Sequence, residues 1–109
     1  MSFSQAIHDY GMSVDDFETS PFEALDMLHI RSRLQRNVAA LSHEEKQLLQ
    51  KYDLILLANA KKMAQHLTEV YEFTSNRPLE EWWWHLDQVA EGNIQPFIKN
   101  DLSERNLAL

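Results

Sequence analysis

The sequence predicts an all-α fold, a small helical bundle with one long central helix over about residues 43–73 and a polar C-terminal tail. Three observations carry this. Helix-start signals recur in Ser20-Pro21-Phe22-Glu23, Ser42-His43-Glu44-Glu45 and Ser75-Asn76 followed by Pro78, each a capping residue ahead of proline or carboxylates in a first turn. No β-branched run alternates with polar residues over the length of a strand, and neither Asn-Gly nor Asp-Gly occurs. Only two glycines interrupt the 109 residues, and each follows a stretch of helical pattern, as a C-terminal glycine does.

Taken in order, the first helix is expected at 4–10, closed by Gly11, and a second at 14–19. A third, 21–41, opens on the Ser20 cap with Pro21 in its first turn. The fourth, 43–73, opens on the capping box of Ser42 and Glu45 and would run about 46 Å at 1.5 Å per residue. A helix that long in so small a domain protrudes or packs against a second copy. The fifth, 78–91, ends at Gly92. Residues 1–92 therefore form the helical domain. Residues 93–109 form a tail in which Pro96 breaks any helix and Ile94, Phe97, Ile98 and Leu102 are spaced apolar positions. That tail is expected to be disordered or ordered by a partner.

Charge and composition narrow the function. Ten basic and seventeen acidic side chains give a net charge of −7, which opposes non-specific binding to nucleic acid or an anionic membrane and favours a basic protein partner. The charge is uneven. Residues 1–28 contain Asp9, Asp15, Asp16, Glu18, Glu23 and Asp26 but no Lys or Arg, whereas 29–42 contain Arg31, Arg33 and Arg36 and no acid. Cysteine is absent, so disulfides, thiolate nucleophiles, iron–sulfur clusters and cysteine zinc sites are excluded. Two glycines cannot build a glycine-rich phosphate loop. The start, MSFSQAIHDY, does not read as a signal peptide, and the apolar run Leu54–Ala60 is too short to span a bilayer, so a cytoplasmic protein is expected.

The helix faces supply candidate sites. On the 43–73 helix, Leu48, Leu49, Tyr52, Ile55, Leu56, Met63, Leu67, Val70 and Phe73 fall on one stripe, expected as core, and Leu54 and Leu57 lie opposite it. A helix apolar on both sides must be covered on both, by the other helices or by a second subunit, which makes Leu54 and Leu57 candidates for a homodimer contact. Asn59 and His66 share the apolar stripe. They are expected either as a polar core pair or ligand site between helices, or as rim residues with local hydrogen bonds. On the 21–41 helix, Ala24, Met27, Ile30, Leu34, Val38 and Leu41 form the buried stripe, with Phe22 and Leu25 meeting the N-terminal residues. His29, Arg33 and Arg36 line up beside Asp26 on the other side. That ridge is either an anion-binding site for phosphate or an acidic partner, or a solvated face that neutralises the first 28 residues.

Trp82-Trp83-Trp84 is the most unusual segment. Three consecutive helical positions span about 200°, so one face cannot bury all three. The helical pattern places Trp82 and Trp83 inward and Trp84 among acids on the polar side. Trp84 is then an interface anchor, or it is covered by the tail through Phe97 or Ile98.

Catalytic and metal patterns are weak. Ser13, Ser20, Ser42, Ser75 and Ser103 stand where helices could begin, which accounts for them as caps. Asp26-x-x-His29 and Glu81-x-x-x-His85 lack the further ligands of a di-iron bundle, and His-Glu-x-x-His is absent. No metal, no cofactor and no catalytic residue is expected. The tight Leu41-Ser42 junction suggests a helix-turn-helix, yet the following helix opens on Glu44-Glu45, so direct nucleic-acid binding is not expected either. The sequence thus predicts a non-enzymatic protein-binding or regulatory module acting through an acidic surface and an exposed aromatic. The alternative is a homo-oligomeric helical bundle that binds a small ligand or metal between helices.

Overall fold

The computed structural model describes residues 3–71 and 78–94. Among them are five α-helices, α1 (Phe3–Ser13), α2 (Pro21–Arg36), α3 (His43–Ala58), α4 (Ala60–Leu67) and α5 (Leu86–Ala90), with single 3-10 turns at Val38–Ala40 and Trp82–Trp84 and no strand. The expected all-α helical bundle is the observed architecture. Helix α1 packs on α2 and α3, while α4 packs on α5 and α2, so α2 is common to both halves. α1 runs alongside α3 in the same direction, since Ser4 hydrogen-bonds Glu45 and Tyr10 hydrogen-bonds Asp53. The core between them is built from Ile7, Tyr10, Met27, Leu28, Leu34, Leu56, Met63, Leu67 and the three tryptophans.

Two helix starts lie where the sequence puts them. The Ser20 hydroxyl accepts from the Glu23 N–H with Pro21 in the first turn. Ser42 and Glu45 form a complete capping box: the Ser42 hydroxyl accepts from the Glu45 N–H at 3.1 Å, and Glu45 accepts from the Ser42 N–H at 2.8 Å. That bond to the backbone, with a second from Ser4, holds the exposed Glu45 carboxyl below its usual pKa. Gly92 closes α5 as expected. Its φ is +80°, its N–H donates to Val89 and the Asn93 N–H donates to Gln88, the two bonds of a Schellman motif.

Four boundaries differ from expectation, each for a local reason. Residues 14–19 form a turn, because the Asp16 carboxylate accepts from the N–H groups of Glu18 and Thr19 and satisfies them without a helix. The helix expected over 21–41 stops at Arg36, where the Asn37 amide donates to the Arg33 carbonyl, and one 3-10 turn leads to buried Leu41. The run expected over 43–73 starts at His43 but is interrupted at Asn59 and ends at Leu67; the Asn59 amide donates to the Ile55 carbonyl, competing within its own helix. The helix expected over 78–91 is replaced by the 3-10 turn and the short α5. Ser75, Asn76 and residues 95–109 lie outside the described residues.

Gly11 has a different job from the one expected. α1 continues through it to Ser13, and a β-carbon there would overlap the Tyr52 ring of α3. The glycine lets the Tyr52 ring lie directly against the α1 backbone. Gly11→Ala gains about 0.5–1 kcal/mol of helix propensity but must displace the ring, an overpacking cost of about 1–3 kcal/mol. A net loss of stability in urea unfolding is expected, relieved when Tyr52→Leu is added.

Candidate functional site

The buried charges organise the centre of the molecule. Arg31 and Asp53 interrupt the apolar stripes of α2 and α3, and their side chains are 6% and 4% exposed. The guanidinium grips the carboxylate with two parallel bonds, Nε to Oδ1 at 2.8 Å and Nη2 to Oδ2 at 2.9 Å. The Tyr10 hydroxyl donates to Oδ1 at 2.6 Å, Arg31 also donates to Gln35, and the guanidinium carbon lies 4.2 Å from the centroid of the Trp83 ring. Burial, followed by the neighbouring carboxylate charge, holds the Tyr10 hydroxyl well above its ordinary pKa, so it stays a donor. Burial works against the charge on Arg31, but the bonds and charge of Asp53 outweigh it and raise its pKa.

The next residue, Ser32, anchors the tryptophans. Its hydroxyl accepts from Trp83 Nε1 at 2.9 Å and from Trp84 Nε1 at 2.7 Å, and donates to Glu81 at 2.8 Å. One donor and two acceptor sites are all a hydroxyl has, and here each is used. Trp84 is therefore not the exposed anchor that a continuous helix would make it: it is 1% exposed, packed against the His29 and Tyr71 rings at 4.8 and 5.6 Å. The physical reason is the 200° spread of three helical neighbours. Non-helical backbone at Glu81 (φ −88°, ψ 63°) and His85 (φ −128°, ψ 39°) isolates the three in a 3-10 turn, and all of them turn inward. Phe97 and Ile98, the expected tail cover, lie outside the described residues.

The other candidate residues separate into groups. His29, Arg33 and Arg36 are exposed along α2 and, with Asp26, Ile30 and Ser32, line an open depression of about 580 Å³. Leu54 is 50% exposed, whereas Leu57 is partly buried and packs against the core. Asn59 spends its amide on Ile55 and does not reach His66 as a hydrogen-bonding pair. His66 is half-buried, edge-on to Phe17 at 6.2 Å, with Nε2 buried and unbonded. Among the described residues no three His, Cys, Asp or Glu side chains come together, and no helix is long and apolar enough to cross a membrane.

Among the described residues, the most exposed aromatic side chain is one expected to be covered. Phe22, in the first turn of α2, is 67% exposed, and Met12, in the last turn of α1, is 64% exposed. Both flank the 14–20 connection, where Asp15 and Glu18 are exposed, and Glu23 and Asp26 follow on α2. The charge count over residues 1–28 marked this end of the molecule; the exposure of Phe22 did not follow from periodicity.

Compared with known proteins, the chain matches no family model, no curated protein and no solved structure.

Ser32→Ala removes the acceptor of two buried indole N–H groups and the donor to Glu81. At about 1–3 kcal/mol for each buried group left unsatisfied, the variant is expected to lose at least about 2 kcal/mol in urea unfolding, with a shifted native tryptophan emission. An unchanged emission and stability would show that these bonds do not hold the turn.

Proposed function

We propose that the chain is a non-enzymatic protein-binding module whose docking face is the acidic end of the α1–α2 pair, with Phe22 as the aromatic anchor and a basic, partly apolar segment as its ligand. The observation that carries this is the exposure of Phe22, 67%, in a stretch of 28 residues that has six carboxylates and no Lys or Arg. Aromatic side chains are enriched at interface cores, and covering a phenyl group contributes about 1.5–3 kcal/mol. The surrounding carboxylates favour cationic partners and speed their encounter. This keeps the expected acidic surface and moves the aromatic from Trp84 to Phe22. A cytoplasmic setting belongs to the same reading.

The alternative, a homo-oligomeric bundle holding a small ligand between helices, is supported by one feature, the buried and unbonded Nε2 of His66. It has no polar partner in Asn59, whose amide is used within α3. The docking face has the broader support.

Random peptides displayed on phage and selected on the immobilised protein are expected to converge on sequences that combine Lys or Arg with Leu, Phe or Trp. Their binding should fall at least tenfold on Phe22→Ser, a substitution at an exposed site. Convergence on acidic peptides, or equal binding to the variant, would overturn the reading.

A further inference from the structure

We infer that the acidic docking face is complemented by a second copy of this chain, through the outer face of α3 and α4. The inference rests on the docking reading above and names its partner. Counted by sequence, residues 43–73 are slightly acidic, with Glu44, Glu45, Glu69 and Glu72 near the two ends of the run. Over residues 46–68 the exposed side chains include Lys46, Lys51, Lys61 and Lys62, and the one acid in that span, Asp53, is buried against Arg31. Apolar surface lies among the lysines: Leu54 is 50% exposed, and Leu48, expected on the buried stripe, is 38% exposed. Helical hydrogen bonding continues across the interruption, from the Asn59 N–H to Ile55 and from the Met63 N–H to Asn59. Lys51, Leu54, Ala58 and Lys61 therefore share one face at helical spacing. It is a basic surface with an aliphatic centre, the chemistry that the acidic face around Phe22 fits.

Geometry favours a reciprocal pairing. The two surfaces share a border within one molecule, because Lys62 Nζ lies 4.7 Å from the centroid of Phe17, in the acidic connection. A twofold dimer lets each acidic end lie on the lysine face of the other copy, so that every favourable contact is made twice. Pairing α3 face to face around Leu54 would instead oppose two lysine rows, and like charges across an interface cost several kcal/mol. The net charge of −7 opposes association of any two copies. Beyond about 8 Å that repulsion is screened at physiological ionic strength, while opposite charges in contact are screened less.

The test is the mass of the full chain by light scattering during gel filtration, from ~10 µM to ~1 mM, above the micromolar weak end of the range spanned by interfaces of ordinary size. A dimer at low salt that dissociates at high salt is expected. The Asp15→Lys/Glu18→Lys variant and the Lys51→Glu/Lys61→Glu variant, both altered at exposed sites and checked for helicity by circular dichroism, should each be monomeric. Mixed in equal amounts, they should restore the dimer, because the exchanged charges complement one another at both contacts. A wild-type chain that stays monomeric throughout, with Phe22-dependent peptide binding retained, overturns the self-association and leaves the docking face standing. A dimer indifferent to both charge reversals also overturns it, whereas loss of the peptide selectivity counts against the docking reading itself.

Discussion

Two ions removed from water cost several kcal/mol each, and their attraction offsets that only when geometry and supporting hydrogen bonds are good. Arg31 and Asp53 meet both conditions. The bond pair is parallel, the remaining capacity of Oδ1 is taken by Tyr10, and the guanidinium has Gln35 beside it and the Trp83 ring over its face. Because the members come from α1, α2, α3 and the tryptophan turn, the network fixes four elements relative to one another. An apolar cluster of equal volume tolerates small slips and rotations; a bidentate pair does not. The close passage of α1 over α3 at Gly11 depends on the same register, since it lies one residue from Tyr10 and packs on Tyr52, one residue from Asp53.

Ser32 extends the constraint to the second half of the molecule. Consecutive helical residues point about 100° apart, so Arg31 and Ser32 serve two neighbouring networks from one turn of α2. The second explains how three consecutive tryptophans are buried. Their area favours burial of all three, and the cost is two indole N–H groups that need acceptors inside the protein. A single hydroxyl accepts both while donating to Glu81. Trp83 belongs to both networks, through its N–H and its ring face, and couples the ion pair to the turn.

Much of the fold was legible in the sequence because caps are local. Ser20, Ser42 and Gly92 act within a few residues of themselves, and the structure places each as its pattern implies. The exposed alignment of His29, Arg33 and Arg36 was legible for the same reason. What was not legible depends on contacts distant in sequence. Gly11 reads as a helix end, yet it is required by Tyr52, far along the chain. Trp84 reads as exposed because helical periodicity assumes a helix, and burying the neighbouring indoles broke it. Arg31 and Asp53 did leave a signal: each interrupts an otherwise apolar stripe, with Met27 and Leu34 around one and Leu49 and Leu56 around the other. A charge on each of two buried faces points to a pair, though periodicity alone does not say which residues meet. With Asp53 inside, the exposed charge over residues 46–68 is carried by lysines alone, so the basic outer face owes part of its charge to the buried pair.

The most direct test of this account is a double-mutant cycle on Arg31→Met and Asp53→Leu, followed by urea unfolding. Each single substitution strands a buried charge, and the double substitution leaves two apolar side chains in its place. If the pair sets the arrangement of the helices, the coupling energy should exceed about 2 kcal/mol, and the double variant should be more stable than Arg31→Met alone. A coupling below about 0.5 kcal/mol, with the single effects simply adding, would contradict the claim that these two side chains hold the fold together.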